Sequence, residues 1–191
     1  QAYDDLRVRL LLGRVLVKRN KFVEAEKILR ELLPQWKLHP LEGWEAGATE
    51  TFLGLALSGL RRFAEAETHL LASYEQARVA IRINNRTNAL NGLVELYTAW
   101  DKPDKAAENR RRLEAHKHAD AGDSLNQNGE FAKAVDEYIK ATHLAPNLDG
   151  VLNRLAWLQA TSPISTIRNG AAAVVAARPA CELTQWTNAT Y

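Results

Sequence analysis

Phe22-Val23-Glu24-Ala25-Glu26 returns as Phe63-Ala64-Glu65-Ala66-Glu67, then as Pro103-Asp104-Lys105-Ala106-Ala107, then as Phe131-Ala132-Lys133-Ala134-Val135. The steps between copies are 41, 40 and 28 residues. Self-similarity at such periods marks a solenoid, in which one repeat cannot bury its apolar face alone and neighbours must stack to build a core. Upstream of each copy runs an apolar stripe at helical spacing. Leu6, Leu10, Gly13 and Val17 share one face, with Leu12 and Leu16 beside it. Phe52, Leu53, Ala56, Leu57 and Leu60 form the second stripe, Leu90, Leu93, Val94 and Tyr97 the third, and Ala121, Gly122 and Leu125 the fourth. Turn signals separate stripe from motif at Arg19-Asn20-Lys21, Gly59-Leu60-Arg61-Arg62, Asp101-Lys102-Pro103 and Asn128-Gly129-Glu130. Each unit therefore reads as helix, short turn, helix.

Small residues fix how the pairs pack. Gly13 and Gly54 lie on first helices, where glycine costs roughly 1 kcal/mol against alanine, so their recurrence implies a close neighbour. Ala25, Ala66, Ala106 and Ala134 occupy the matching point of the second helices. Leu29, Leu70 and Tyr138 follow four residues later on the same face as large knobs.

These features resemble the tetratricopeptide repeat. The fourth unit fits that family best, with Gly122, Gly129, Phe131, Ala134, Tyr138, Ala141 and Pro146 in register on a frame of about 34 residues. The first two units are longer, similar to the variant of kinesin light chains. The third departs from the pattern, with Val94 in place of glycine and Arg110 in place of the bulky residue. Phe63 to Leu113 resembles the arrays that follow kinase domains in some bacterial, planctomycete-like serine/threonine kinases. Leu155-Ala156-Trp157-Leu158-Gln159-Ala160-Thr161, Arg168-Asn169-Gly170 and Ala180-Cys181-Glu182-Leu183-Thr184 resemble a bacterial repeat variant, and Trp186, Asn188 and Tyr191 would open a further repeat. Pro179 departs from it, and a mid-helix proline is expected to bend the helix there. The resemblance implies an all-α fold, with helix-turn-helix repeats stacked in a right-handed superhelix.

The 28-residue step leaves little room for a helix, a turn and a new helix. One long helix through Arg112–His118 is the expected solution, dividing the array into segments 1–114 and 115–191. Methionine is absent, the first residues already follow a helical pattern, and neither end shows a polar cap. A fragment of a longer protein, truncated at both ends, is the expectation.

Composition narrows the function classes. Of 191 residues 46% are hydrophobic and 25% charged, and no apolar run suggests a transmembrane helix. The single Cys181 rules out an internal disulfide and favours a reducing, cytoplasmic setting. There the sequons Asn85-Arg86-Thr87 and Asn188-Ala189-Thr190 would not be glycosylated. A net charge of +2 predicts neither nucleic-acid nor membrane binding. Residues 1–37 nevertheless hold nine Lys/Arg against five Asp/Glu. Arg110-Arg111-Arg112 with Lys102, Lys105 and Lys117 forms the strongest basic cluster. Glu108 and Glu114 interrupt it and no aromatic interleaves, so it reads first as a solvated helix face.

Catalytic chemistry finds no support. There is no Gly-rich phosphate loop, and Cys181 lies in an apolar helical pattern with no base in sequence beside it. His116, Asp120 and Asp123 share a helix face at a spacing able to ligate a divalent ion, but nothing nearby completes the shell. No cofactor, metal or enzyme activity is expected.

What remains is the concave groove that the resemblance implies, lined by the first helix of each repeat. Carried over, it takes Arg7, Leu10, Arg14, Val17 and Lys18 from the first unit, and Thr51, Leu55 and Ser58 from the second. Asn88, Asn91, Glu95 and Thr98 come from the third, His116, Asp123, Asn126 and Gln127 from the fourth, and Asn153 and Trp157 from the fifth. The basic-to-polar run from Arg7 to Asn91 suits an acidic or carboxylate-ended peptide, although it lacks the lysine-asparagine clamp of chaperone-binding arrays. The leading expectation is a non-catalytic protein-protein interaction scaffold. A regulatory or substrate-docking arm of a larger enzyme, such as a kinase, is the alternative. Nucleic-acid binding through 102–117 is a weaker one, and homo-oligomerisation stays open.

Overall fold

The computed structural model describes residues 2–36, 44–79 and 83–186. Asn188, Tyr191 and the second sequon lie outside them. The described residues form an all-α array of nine helices: α1 Ala2–Lys18, α2 Phe22–Trp36, α3 Trp44–Gly59, α4 Phe63–Val79, α5 Ile83–Ala99, α6 Pro103–Gln127, α7 Phe131–Leu144, α8 Asp149–Thr161 and α9 Gly170–Leu183. They pack as sequential antiparallel pairs, the hairpin array that the tetratricopeptide pattern implies. Every motif copy opens a second helix. Pro103 does so where its missing N–H is harmless, at the first position of α6.

The motif copies start where they do because the preceding turn is the same four times. Asn20, Arg61, Asp101 and Gly129, each two residues before a copy, have φ of 57°, 60°, 56° and 78°. The next amide reaches back five residues in each case: Lys21 to the Leu16 carbonyl (2.9 Å), Arg62 to Leu57 (2.9 Å), Lys102 to Tyr97 (2.8 Å) and Glu130 to Leu125 (2.9 Å). This double-bonded helix end satisfies carbonyls that would otherwise lack partners. In the first two copies the first motif residue then packs at the end of the following first helix. Phe22 lies where a Cβ on Gly59 would come within 2.5 Å of its ring, and Phe63 stacks on Trp100 with centroids 5.6 Å apart.

The chain divides into two compact units, 1–110 and 111–191, and α6 runs unbroken through 103–127. In the first unit α1 to α5 each pack on the next, and the first helices α1, α3 and α5 lie side by side. Leu29 and Leu70 are fully buried and enter the hollows left by glycine. A Cβ on Gly13 would stand 2.5 Å from Leu29 Cδ2, and one on Gly54 2.6 Å from Leu70 Cγ. The same Leu70 also fills a hollow at Gly92, not at Val94. Gly92 thus receives α4 of the preceding hairpin, a different contact from those of Gly13 and Gly54, which receive their own hairpin partners. In the second unit Ala115, Ala119, Ala134, Tyr138, Ala141, Val151, Leu155 and Ala176 are among the core residues. Of the expected stripe, Gly122 is buried and Leu125 packs against this core, whereas Ala121 is exposed; Ala115 and Ala119 extend the buried face. α9 runs through Pro179, opened by Asn169, whose side chain accepts the Ala172 amide at 3.0 Å.

Two of the motif acids link neighbouring hairpins. Glu26 accepts from Arg62 at 2.7 Å, and Glu67, its equivalent one repeat on, accepts from Tyr97 Oη at 2.6 Å and Lys105 Nζ at 2.7 Å. Each joins its helix to the next hairpin. Burial pushes the Glu67 carboxyl up, but the Lys105 and Tyr97 hydrogen bonds outweigh it and hold it below the ordinary 4.5. On Glu137 the Lys140 and His118 contacts have the same net effect. A carboxylate with a depressed folded pKa stabilises above its unfolded value, and that contribution disappears as pH falls through the folded one. Thermal stability is therefore expected to drop as pH is lowered below 4.5. In Glu67→Gln the drop is shallower, as melting curves from pH about 6 to about 3 would reveal.

Candidate functional site

On α1, the expected groove residues Arg7, Arg14 and Lys18 are exposed and Val17 is half-buried. Leu55 and Ser58 of α3 are half-buried. Asn88, Asn91, Glu95 and Thr98 of α5 are exposed. Because α1, α3 and α5 are neighbours, these side chains fall on one unit. The Arg14 guanidinium sits 5.9 Å from the Phe52 ring centroid, and Leu55 comes within 3.4 Å of where a Cβ on Gly92 would stand. In the second unit Asp123, Asn126 and Asn153 are half-buried, whereas Gln127 and Trp157 are exposed.

Three expected positions are corrected by the structure. Leu10, Thr51 and His116 are buried and line no open surface. Leu10 and Thr51 are equivalent, 41 residues apart, and Thr51 shows why. Its hydroxyl meets Ser73 Oγ on α4 at 2.7 Å, so this column of the first helix turns toward its own hairpin partner. Ser73 also donates to the Gly47 carbonyl at 2.7 Å. His116 stands next to Ala115 in the second unit's core.

Electrostatics further sort the charged residues. Arg7 is committed within the fold. Its guanidinium lies 3.8 Å from the buried Glu45 carboxylate, with the Trp44 and Tyr3 rings 5.7 and 5.9 Å away. Tyr3 donates to the same carboxylate at 2.7 Å. A buried carboxylate needs such partners, and nothing in the sequence pattern announced the pairing of residues 42 apart. Asp123 is likewise occupied, accepting from Tyr138 Oη at 2.7 Å and from Arg154 at 2.5 Å. Burial, then the Asp123 contact, raises the Tyr138 pKa. On the His116–Asp120–Asp123 face the imidazole is thus buried and the Asp123 carboxylate is ion-paired. Among the described residues no group of three or more His, Cys, Asp or Glu could hold a metal ion.

Four members of the basic cluster are engaged. Lys102 Nζ lies 3.2 Å above the Trp100 ring, Lys105 pairs with Glu67, Arg110 donates to Thr98 at 3.3 Å, and Lys117 pairs with Glu114 at 3.0 Å. Cys181 is buried. No described helix is long and apolar enough to cross a membrane. Arg14 and Lys18 of α1 and Asn88 and Asn91 of α5 are exposed, as is Arg7 beside its Glu45 partner.

No protein-family model and no curated protein matches the chain. A solved structure, the MamA RS-1 ArsTM double mutant, is similar at 14% identity and a TM-score of 0.37, over 97% of each chain.

Proposed function

We propose that the chain is a non-catalytic interaction scaffold, which takes an acidic or carboxylate-ended peptide along the first helices of its first unit. One observation supports this most: Arg14, Lys18, Asn88 and Asn91 are exposed on α1 and α5, which flank the same helix α3. Cations at one end and amides at the other suit a carboxylate held by charge-assisted bonds next to a peptide backbone held by amides. Leu55 and Val17, half-buried between them, would give a shallow apolar floor.

The reading is tested with an immobilised library of acidic, carboxylate-ended peptides. Binding is expected to fall about tenfold or more in Arg14→Glu/Lys18→Glu, and to weaken as salt rises. Equal binding by this variant and the parent would sink the proposal. Both residues are exposed, so the fold should survive the exchange, and circular dichroism checks that.

A further inference from the structure

Asparagine precedes glycine three times in the chain, at Asn91-Gly92, Asn128-Gly129 and Asn169-Gly170. Such a pair can modify itself. The glycine amide nitrogen, once deprotonated, attacks the side-chain carbonyl carbon of asparagine. A C–N bond closes a five-membered succinimide, and ammonia leaves. Water then opens the ring at either carbonyl, giving aspartate, or isoaspartate with the main chain rerouted through the former side chain. Glycine favours the attack because no Cβ shields its nitrogen. Ring closure also requires the asparagine–glycine peptide to rotate and its N–H to leave any acceptor. The ease of local opening therefore decides which pair reacts.

The fold treats the three pairs differently. Asn91-Gly92 lies inside α5, where the glycine amide belongs to the helical ladder. Gly92 is also buried, with Leu70 Cδ2 standing 2.7 Å from where its Cβ would be. Asn169 caps α9: its side chain accepts the Ala172 amide at 3.0 Å, and its own amide bonds the Gln159 carbonyl at 2.8 Å. Attack there would dismantle a helix cap. Asn128-Gly129 directly follows the last residue of α6, and both residues are exposed. The Asn128 side chain is hydrogen-bonded to no other described residue. Gly129 has φ of 78°, and nothing lies within 4 Å of where its Cβ would stand. Its amide is held by a terminal bond to the Asn126 carbonyl at 3.1 Å, with no further turn of helix beyond it.

We infer that Asn128 is a self-modification site, converted by the Gly129 amide and water to aspartate and isoaspartate, while the fold protects Asn91 and Asn169. The product alters the corner that starts the fourth motif copy. Its new carboxylate sits at the C-terminal end of α6, where the helix dipole opposes negative charge. Isoaspartate also lengthens the main chain by a carbon, which pulls the Glu130 amide away from the Leu125 carbonyl that it meets at 2.9 Å. Asn126 and Gln127 lie directly before the modified residue. The inference does not rest on the groove proposed above.

The test ages the whole chain in solution at neutral and mildly alkaline pH, with and without urea. Tryptic peptides are then mapped by mass spectrometry, with an isoaspartate-directed methyltransferase as label. The three pairs fall in separate peptides, 87–105, 118–133 and 169–191. In the folded chain Asn128 should convert about tenfold or more faster than Asn91 or Asn169. Its rate should rise with pH, because the attacking amide must lose its proton, and isoaspartate should be among its products. In urea the three rates should converge. Hydrogen exchange should show the Glu130 amide losing protection in the aged parent and keeping it in Asn128→Ser, which cannot form the ring. Equal rates in the folded chain overturn the inference, as does a ranking that persists unchanged in urea, since sequence neighbours and not the fold would then set it. Full Glu130 protection in the converted chain overturns it as well.

Discussion

Leu70→Ala is expected to lower the stability of the first unit by about 2–5 kcal/mol. In a domain of this size that is a fall in melting temperature on the order of 10 °C or more. Leu70 is fully buried, and its branched end occupies two hollows at once, at Gly54 on α3 and Gly92 on α5. Truncation would empty both, and close helix backbones cannot collapse far to refill them. The converse substitution tests the same contact from the other side. Gly54→Ala should gain roughly 1 kcal/mol of helix propensity. The new methyl would nevertheless sit 2.6 Å from Leu70 Cγ and 3.1 Å from the Ala66 carbonyl oxygen, and the second is backbone. Overpacking of about 1–3 kcal/mol should win, so the variant is destabilised. In the double variant the Leu70 clash is gone, and Gly54→Ala should then cost much less than it does alone. Coupling of about 1 kcal/mol or more in that cycle, from urea melts, is the expected signature. Additive effects would mean the two residues do not meet.

The Leu70 contact was legible because glycine and leucine recur at fixed offsets from the motif. Other features were hidden for physical reasons. Three of the four hairpin turns place Asn20, Arg61 or Asp101 at positive φ, where glycine is the usual signal. Gly59 therefore looked like the turn residue, whereas it ends α3 and accommodates Phe22. On α1 apolar residues occupy both sides of the helix, so periodicity alone could not tell buried Leu16 from exposed Leu12. The groove positions suffered from the same ambiguity. Positions 10 and 51 lie near the boundary between the open face and the hairpin interior, and about a quarter-turn of helix decides between them. Contacts such as Tyr3 to Glu45 or Glu67 to Lys105 join residues dozens apart, and a single sequence carries no mark of them.

Tyr138→Ala is the corresponding test in the second unit, with an expected loss of about 3–5 kcal/mol. Tyr138 is only 1% exposed, and its ring packs where a Cβ on Gly122 would come within 2.7 Å. It therefore closes α6 onto α7 as Leu70 closes α3 onto α4, with a polar end added. That end bonds Asp123, which also holds Arg154 of α8. Tyr138→Phe keeps the ring and removes only the hydroxyl. Asp123 retains Arg154 and some access to water, so the loss should be nearer 1 kcal/mol. A large gap between the two variants would assign the stability to packing, whereas equal losses would assign it to the hydrogen bond. Native-state hydrogen exchange locates the damage. Amides of α7 and α8 should lose protection in Tyr138→Ala while those of α2 to α4, in the other compact unit, keep theirs. Uniform loss across all helices would instead show that the unbroken α6 makes the two units unfold as one.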